Sequence, residues 1–235
     1  VSQVRFDHIA LALPRVADGL PLVVGRLGGV PEAGGAAREF RWGAWVFAGG
    51  GRLELLEPLG AAGFVHRFLE QRGPGVHHVT FTVDDLARAC ERARALGYDV
   101  VGYDDSRSDW KEAFLHPKQA LGIVVQFAQP APNRERRWRW QPPPAPPAPP
   151  PATLVGLRLR AASAERARRQ WAETLLGAEE RATDGAVVYR WSDSPMRIAV
   201  DIDAAGAEGP VAIEVAGAPG FTAITALGTR FVPAA

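Results

Sequence analysis

Apolar and polar residues alternate along "DHIALALP" (7–14) and again along "HHVTFTVD" (77–84), the period of a half-buried β-strand. The two stretches are offset by 70 residues. Each leads into a segment of helical period closing on Leu-Gly, "VVGRLGG" and "RARALGY", where glycine takes the left-handed cap. Each half then ends in a strand, "ELLEP" (54–58) and "QFAQP" (126–130), offset by 72. The unit reads β-α-β-β-β, twice. Strands mixed with one helix per unit predict an α+β domain with its helices on one sheet face.

Residues 130–152 hold ten of the 20 prolines. Such a run favours polyproline II at roughly 3 Å per residue, which predicts a stiff spacer. "RERRWRW" within it alternates arginine and tryptophan as nucleic-acid grooves do. No matching basic stripe follows elsewhere, so the expectation is tryptophans packed on a neighbouring domain. Beyond it a third copy starts. "LVGLRLRA" reads as a strand, "SAERARRQWAETLLG" as a helix N-capped by Ser163, and "AVVYRW" and "MRIAVDID" as strands. A fourth copy begins at "PVAIEV", and "ALGTRFV" echoes "ALGYDVV" at 95–101, after which its last two strands are missing. The predicted division is 1–129, a linker over 130–152, and a degenerate, incomplete pair over 153–235. Units this short cannot bury their faces singly, so the copies must pair.

Strand parity selects among the histidines. His77 shares a face with Val79, Phe81 and Val83, the bulky face that should meet the helix. His78 falls on the other face with Thr80 and Thr82. On the first strand Ile9, Leu11 and Leu13 point to the core, while His8, Ala10 and Ala12 share the concave face and leave room for a ligand. In the last strand of the second repeat, Ile123, Val125 and Phe127 pack inward and Gln126 faces the concavity. Glu54 shares a face with Leu56. His8, Glu54, His78 and Gln126 are therefore expected to converge. Two neutral imidazoles, a carboxylate and an amide oxygen suit a divalent metal such as Co, Ni, Mn, Fe or Zn. From spacing alone, an ordinary hydrogen-bonded role for these histidines stays open.

Composition narrows the partners. The formal charge is +1, with 47% hydrophobic and 23% charged residues, so nothing in the total favours a polyanion or a membrane surface. The single cysteine, Cys90, lies in a predicted helix and cannot form an internal disulfide, which suits a reducing compartment. No apolar run long enough to cross a bilayer appears, and the expectation is a soluble, cytoplasmic protein. Two lysines, Lys111 and Lys118, stand against 25 arginines, which points to coding bias.

"DHIALAL", "LELLEPLG", "GPGVHHVTFTVDD", "FLHPK" and "GIVVQFAQ" resemble, in order and spacing, the motifs of the vicinal oxygen chelate superfamily, which includes glyoxalase I, extradiol dioxygenases and bleomycin-resistance proteins. Within it the sequence looks most like the methylmalonyl-CoA epimerases. The resemblance covers roughly the first half of the chain. It implies an α+β fold of paired βαβββ modules forming a curved mixed sheet around a concave cleft, here with a second, degenerate module pair. It carries the metal ligands onto His8, Glu54, His78 and Gln126. The last of these is typically a glutamate, and the amide here can ligate but cannot accept a proton near neutral pH. Glu54 is then the expected base as well as a ligand. Trp45, Thr80, His116 and Lys118 are expected around the substrate, with Lys118 near an acyl-carrier phosphate. The third copy has Gly156 at the position of His8, and the fourth has no histidine, so no metal is expected there. Proton transfer beside a carbonyl, Fe(II) oxygenation and simple sequestration of a small molecule with vicinal oxygens all fit this scaffold, and a homodimer is a possible assembly.

Overall fold

The computed structural model describes residues 3–234. Its first eight strands are β1 (Val4–Ala12), β2 (Val30–Ala36), β3 (Phe40–Val46), β4 (Arg52–Pro58), β5 (Gly75–Val83), β6 (Val100–Asp104), β7 (Trp110–Leu115) and β8 (Val124–Pro130). They form one sheet in the order β2-β3-β4-β1-β5-β8-β7-β6. A second sheet holds β9 (Thr153–Ala161), β10 (Ala178–Arg181), β11 (Val187–Arg190), β12 (Arg197–Ile202), β13 (Gly209–Ala216), β14 (Ile224–Ala226) and β15 (Thr229–Pro233), in the order β10-β11-β12-β9-β13-β15-β14. In each repeat the first and last strands pair in parallel, as β1 with β4 and β5 with β8, and a hairpin extends outward from the last. This is the α+β arrangement expected from the repeats.

The helices are α1 (Leu20–Val23), α2 (Phe64–Arg72), α3 (Leu86–Ala95) and α4 (Ala164–Arg168). The segment after β1 is glycine-rich, and it yields only a 3-10 turn, Val16–Gly19, and the single turn of α1. α3 runs longer because Asp85 caps it, its carboxylate accepting from the Arg88 amide at 3.0 Å. Ser163 caps α4 in the same way, and the helix continues as a π-turn over Arg169–Thr174.

By contact the chain groups into two compact units, each drawing on both sheets. The unit of residues 1–7, 78–134 and 156–211 is built on aromatic rings. Phe6 stacks on Phe81 at 4.8 Å, Trp191 contacts both, and Trp171 lies 6.0 Å from Phe81. The Trp191 indole donates to the Leu175 carbonyl, and Arg92 of α3 donates to the Thr174 carbonyl. Cys90 is buried on the inner side of α3.

The other unit, residues 8–77, 135–155 and 212–235, shows what the proline-rich segment does. Arg137–Arg139 still carry N–H groups, so they pair with the β2 edge: Gly34 donates to the Arg137 carbonyl, and Arg139 donates back to Gly34 at 2.8 Å. Trp138 lies flat on Gly34, where any Cβ would overlap its ring, and meets Trp45 edge-on at 5.3 Å. Trp140 donates to the Trp42 carbonyl and takes the Arg41 guanidinium over its face at 4.6 Å. Further on, Ala152 donates to Leu27. The tryptophans of the expected stiff spacer do pack on a folded neighbour, and the segment forms a strap along a sheet edge, because its arginines and tryptophans keep the donors that its prolines lack.

The fourth copy also differs from expectation. It keeps three strands, β13 to β15, and what it lacks is the helix and one strand. Ala226-Leu227-Gly228 is a turn with φ of 54° at Leu227 and 66° at Gly228, whereas at 95–97 Leu96 has φ of –94° at a helix end. The true counterpart is Ala120-Leu121-Gly122, with φ of 54° and 78°, just before β8. A Cβ on Gly122 would strike the Glu208 carbonyl at the start of β13, and one on Gly228 would strike the Pro74 carbonyl at the start of β5.

Candidate metal centre

The β1/β4 register sets Ala10 opposite Glu54, and the β5/β8 register sets Thr80 opposite Gln126. Paired residues share a face, and the period of two brings His8 to the face of Ala10 and His78 to that of Thr80. Since β1 and β5 are neighbours in the sheet, the histidines meet across its middle. His8, Glu54 and His78 offer ligand atoms that all lie within 4.8 Å of one another. His8 Nε2 stands 3.7 Å from Glu54 Oε1, and both histidines are 7% exposed. Nitrogen and carboxylate donors gathered out of water fit a divalent ion, so these three residues could hold a metal.

Gln126 is engaged on both sides of its amide. Its Oε1 accepts from the Thr80 hydroxyl at 2.6 Å, and its Nε2 donates to Glu112 Oε2 at 2.8 Å. The Trp110 indole donates to the same Glu112 oxygen at 2.7 Å. Glu112 was not among the expected residues. Its signal is visible in retrospect, since Trp110, Glu112 and Phe114 alternate along β7 and Phe114 pairs with Gln126. Reading it needed the register of the β7–β8 hairpin.

Of the residues expected around a substrate, Thr80 alone is tied to this row. Trp45 pairs with Leu53, one residue out of phase with Glu54, so its ring leaves by the other face and is 1% exposed beneath Trp138. His116 and Lys118 lie in the exposed turn after β7, where the Lys118 amide donates to His116 Nδ1 at 3.2 Å. The room expected over Ala10 and Ala12 is filled by Leu56, Val65 and the packed Phe40, Trp42, Phe64, Phe68 and Leu69. α2 brings in four of these seven. Its Phe64 and Phe68 also flank His77, with ring centroids at 5.2 and 4.9 Å. Burial, aided by the charge of Arg72, lowers the His77 pKa from 6.5 to about 4. Glu57, also unforeseen, accepts from the Val16 amide at 2.6 Å and pairs with Arg41, which anchors the turn after β1.

The sequence profile of the Glyoxalase/Bleomycin resistance protein/Dioxygenase superfamily matches residues 7–114. An ethylmalonyl-CoA/methylmalonyl-CoA epimerase of Cereibacter sphaeroides is 30% identical over 132 residues, covering 53% of this chain and 97% of that protein. The chain belongs to this superfamily. Membership rests on about half of its length, and the strap and second sheet lie beyond the residues that the family profile matches. The solved methylmalonyl-CoA epimerase of Mycobacterium tuberculosis, 25% identical, covers 54% of the chain and 88% of its own with a TM-score of 0.50. A mutant 4-hydroxymandelate synthase from Streptomyces coelicolor matches 92% of this chain and 71% of its own at a TM-score of 0.65. At 14% identity, that match shows a likeness of fold alone, over most of the chain. No helix among the described residues is long and apolar enough to cross a membrane.

Proposed function

We propose that the chain is a metal-dependent enzyme that moves a proton at a carbon beside a carbonyl, on an acyl thioester of the methylmalonyl-CoA kind. The observation that carries this reading is the His8–Glu54–His78 group. The activity named for the Cereibacter relative supports the substrate class. A divalent ion held by the three side chains would act as a Lewis acid on the carbonyl oxygen. His8 and His78 would serve only as ligands in their neutral form. Glu54 would both ligate and carry the proton, since it is the one carboxylate of the group and the Gln126 amide cannot accept one. Residues 1–129 would hold the site, with 153–235 shaping its entrance and Lys118 meeting the phosphates of the thioester.

The test is solvent exchange. Cobalt-loaded protein with a single epimer of methylmalonyl-CoA in D2O should place deuterium at C2 and racemise that centre. Glu54→Gln should slow this by about 10²–10⁴-fold. Absence of exchange in a metal-loaded sample would overturn proton transfer and leave oxygenation or sequestration. A second reading has its own support, because two histidines and one carboxylate are also the ligand set of non-haem Fe(II) oxygenases. Substrate-dependent oxygen consumption by the iron-loaded protein would favour it over proton transfer.

A further inference from the structure

We propose that Glu112 is a positioning residue that locks the Gln126 amide with its oxygen turned toward β5, the strand of His78, and thereby makes Gln126 an oxygen donor to the metal group. The inference rests on the metal reading of His8, Glu54 and His78.

An amide side chain has two ends of nearly equal shape and opposite chemistry, so its neighbours decide which end points where. Here the two neighbours make opposite demands. An ionised carboxylate only accepts, so the end that meets Glu112 Oε2 at 2.8 Å must be the Nε2 group. The other end then meets the Thr80 hydroxyl at 2.6 Å, and that contact is satisfied by the hydroxyl donating to Oε1. A carbonyl oxygen has two acceptor sites, so one bond from Thr80 leaves the second for an ion.

Glu112 is itself held. The Trp110 indole donates to the same Oε2 at 2.7 Å, and Trp110, Glu112 and Phe114 project from one face of β7. The chain Trp110–Glu112–Gln126–Thr80 therefore crosses from β7 through β8 to β5 with the donor and acceptor of each hydrogen bond fixed. Thr80 is fully buried and Gln126 is 8% exposed, so water offers little to replace a lost partner. With Glu112 removed, the amide is free to flip and to present its N–H groups toward a cation, which repels it. The negative charge of Glu112 on the far side of the amide also makes its oxygen a better donor, as outer partners do for metal ligands in general.

The experiment combines two readouts on the purified full chain. In the metal-free protein, NMR follows the Gln126 side-chain NH2 and its hydrogen exchange. In parallel, cobalt(II) titration measures affinity for Glu112→Ala, Glu112→Gln, Gln126→Ala and the Glu112→Ala/Gln126→Ala double variant. The expected results are a protected NH2 that loses protection in Glu112→Ala and an affinity loss of about 10–100-fold in that variant. Glu112→Gln should stay within about threefold, since its amide oxygen still accepts from Gln126. In the Gln126→Ala background, Glu112→Ala should cost nothing further, which a merely structural role would not produce. Unchanged NH2 protection or unchanged cobalt affinity in Glu112→Ala overturns the inference, as does an additive loss in the double variant. Failure of the unaltered protein to bind cobalt is a different outcome; it removes the metal reading and this inference with it.

Discussion

In the eight-stranded sheet, β1 sets Ala10 opposite Glu54, with His8 two residues away; in the seven-stranded sheet, β9 sets Arg158 opposite Ala199, with Gly156 two residues away. The two registers superpose residue for residue, since Ile9 faces Leu53 as Leu157 faces Ile198. The chemistry is inverted. The first sheet offers electron-pair donors that could take a cation from outside. The second carries its own, because Arg158 is bonded to both oxygens of Asp201 at 2.6 and 2.7 Å and to Asp184 at 2.6 Å. Those carboxylates push the Arg158 pKa further up, with the Asp201 hydrogen bond the main cause. A guanidinium does not lose its proton in a protein, so this charge is permanent and cannot be exchanged for an ion. The same backbone row could hold an exchangeable cation in one place and carries a built-in one in the other.

The largest effect expected from this contrast is on metal binding. His78→Ala removes one of the proposed ligands and should cost more than the roughly 100-fold ceiling of outer-partner losses, while Arg158→Ala should leave cobalt affinity unchanged. Equal losses in the two variants would break the comparison. Next comes a pH effect confined to the first sheet. His77 is neutral in the folded protein down to about pH 4, whereas in the unfolded chain it takes a proton below about 6.5. Its stabilising share is complete above about pH 6.5 and is lost as the pH falls toward 4. At about 1.4 kcal/mol per pH unit, that is about 3 kcal/mol. Urea midpoints of the metal-free protein should show this loss, and His77→Phe, which keeps the packing on Phe64 and Phe68, should flatten it.

Smaller still is the cost of emptying the second sheet's row. Arg158→Ala strands Asp201 and Asp184, and with the arginine side chain 23% exposed the expected loss is about 2 kcal/mol, below the 3–5 of a fully buried pair. A shift in Tm of a few degrees checks it. The sheet edges give the smallest contrast. β2 is covered by the strap, while β10 is exposed throughout and guarded by Glu179, Glu180 and Arg181. Trp138→Ala should cost about 1–2 kcal/mol, less than a core tryptophan because its ring is half-buried, and the loss should appear as protease cleavage near residues 133–141.

What could be read from the sequence was whatever depends on period. Alternation placed β1, β5 and β8, and parity separated His78 from His77, because a step of one residue along a strand crosses the sheet. The same rule applied to β3 would have sent Trp45 away from Glu54, but it required the β3–β4 register, which the hairpin "FAGGG" does not reveal. Glu112 was hidden for the same reason. The room over Ala10 and Ala12 was misjudged because α2 lies outside the repeat, and no period announces where an inserted helix will lie. The tryptophans of the linker pack on a folded neighbour, as expected, but their place on the β2 edge was not legible, because composition speaks for the prolines whereas Arg137, Trp138 and Arg139 decide the placement. The turn at 226–228 was matched to the wrong Ala-Leu-Gly because letters do not carry φ.

The aromatic cluster has a further consequence. Phe6 and Phe81 belong to strands of the first sheet, Trp171 and Trp191 to the part of the chain after the strap, and their rings interlock. The strap is thus also a tether, which turns what would be the association of two molecules into a unimolecular event at an effective concentration on the order of millimolar. A break after Gln141 leaves Trp138 and Trp140 with the first piece. It should yield two polypeptides that copurify when expressed together, with an affinity that measures directly what the covalent link supplies.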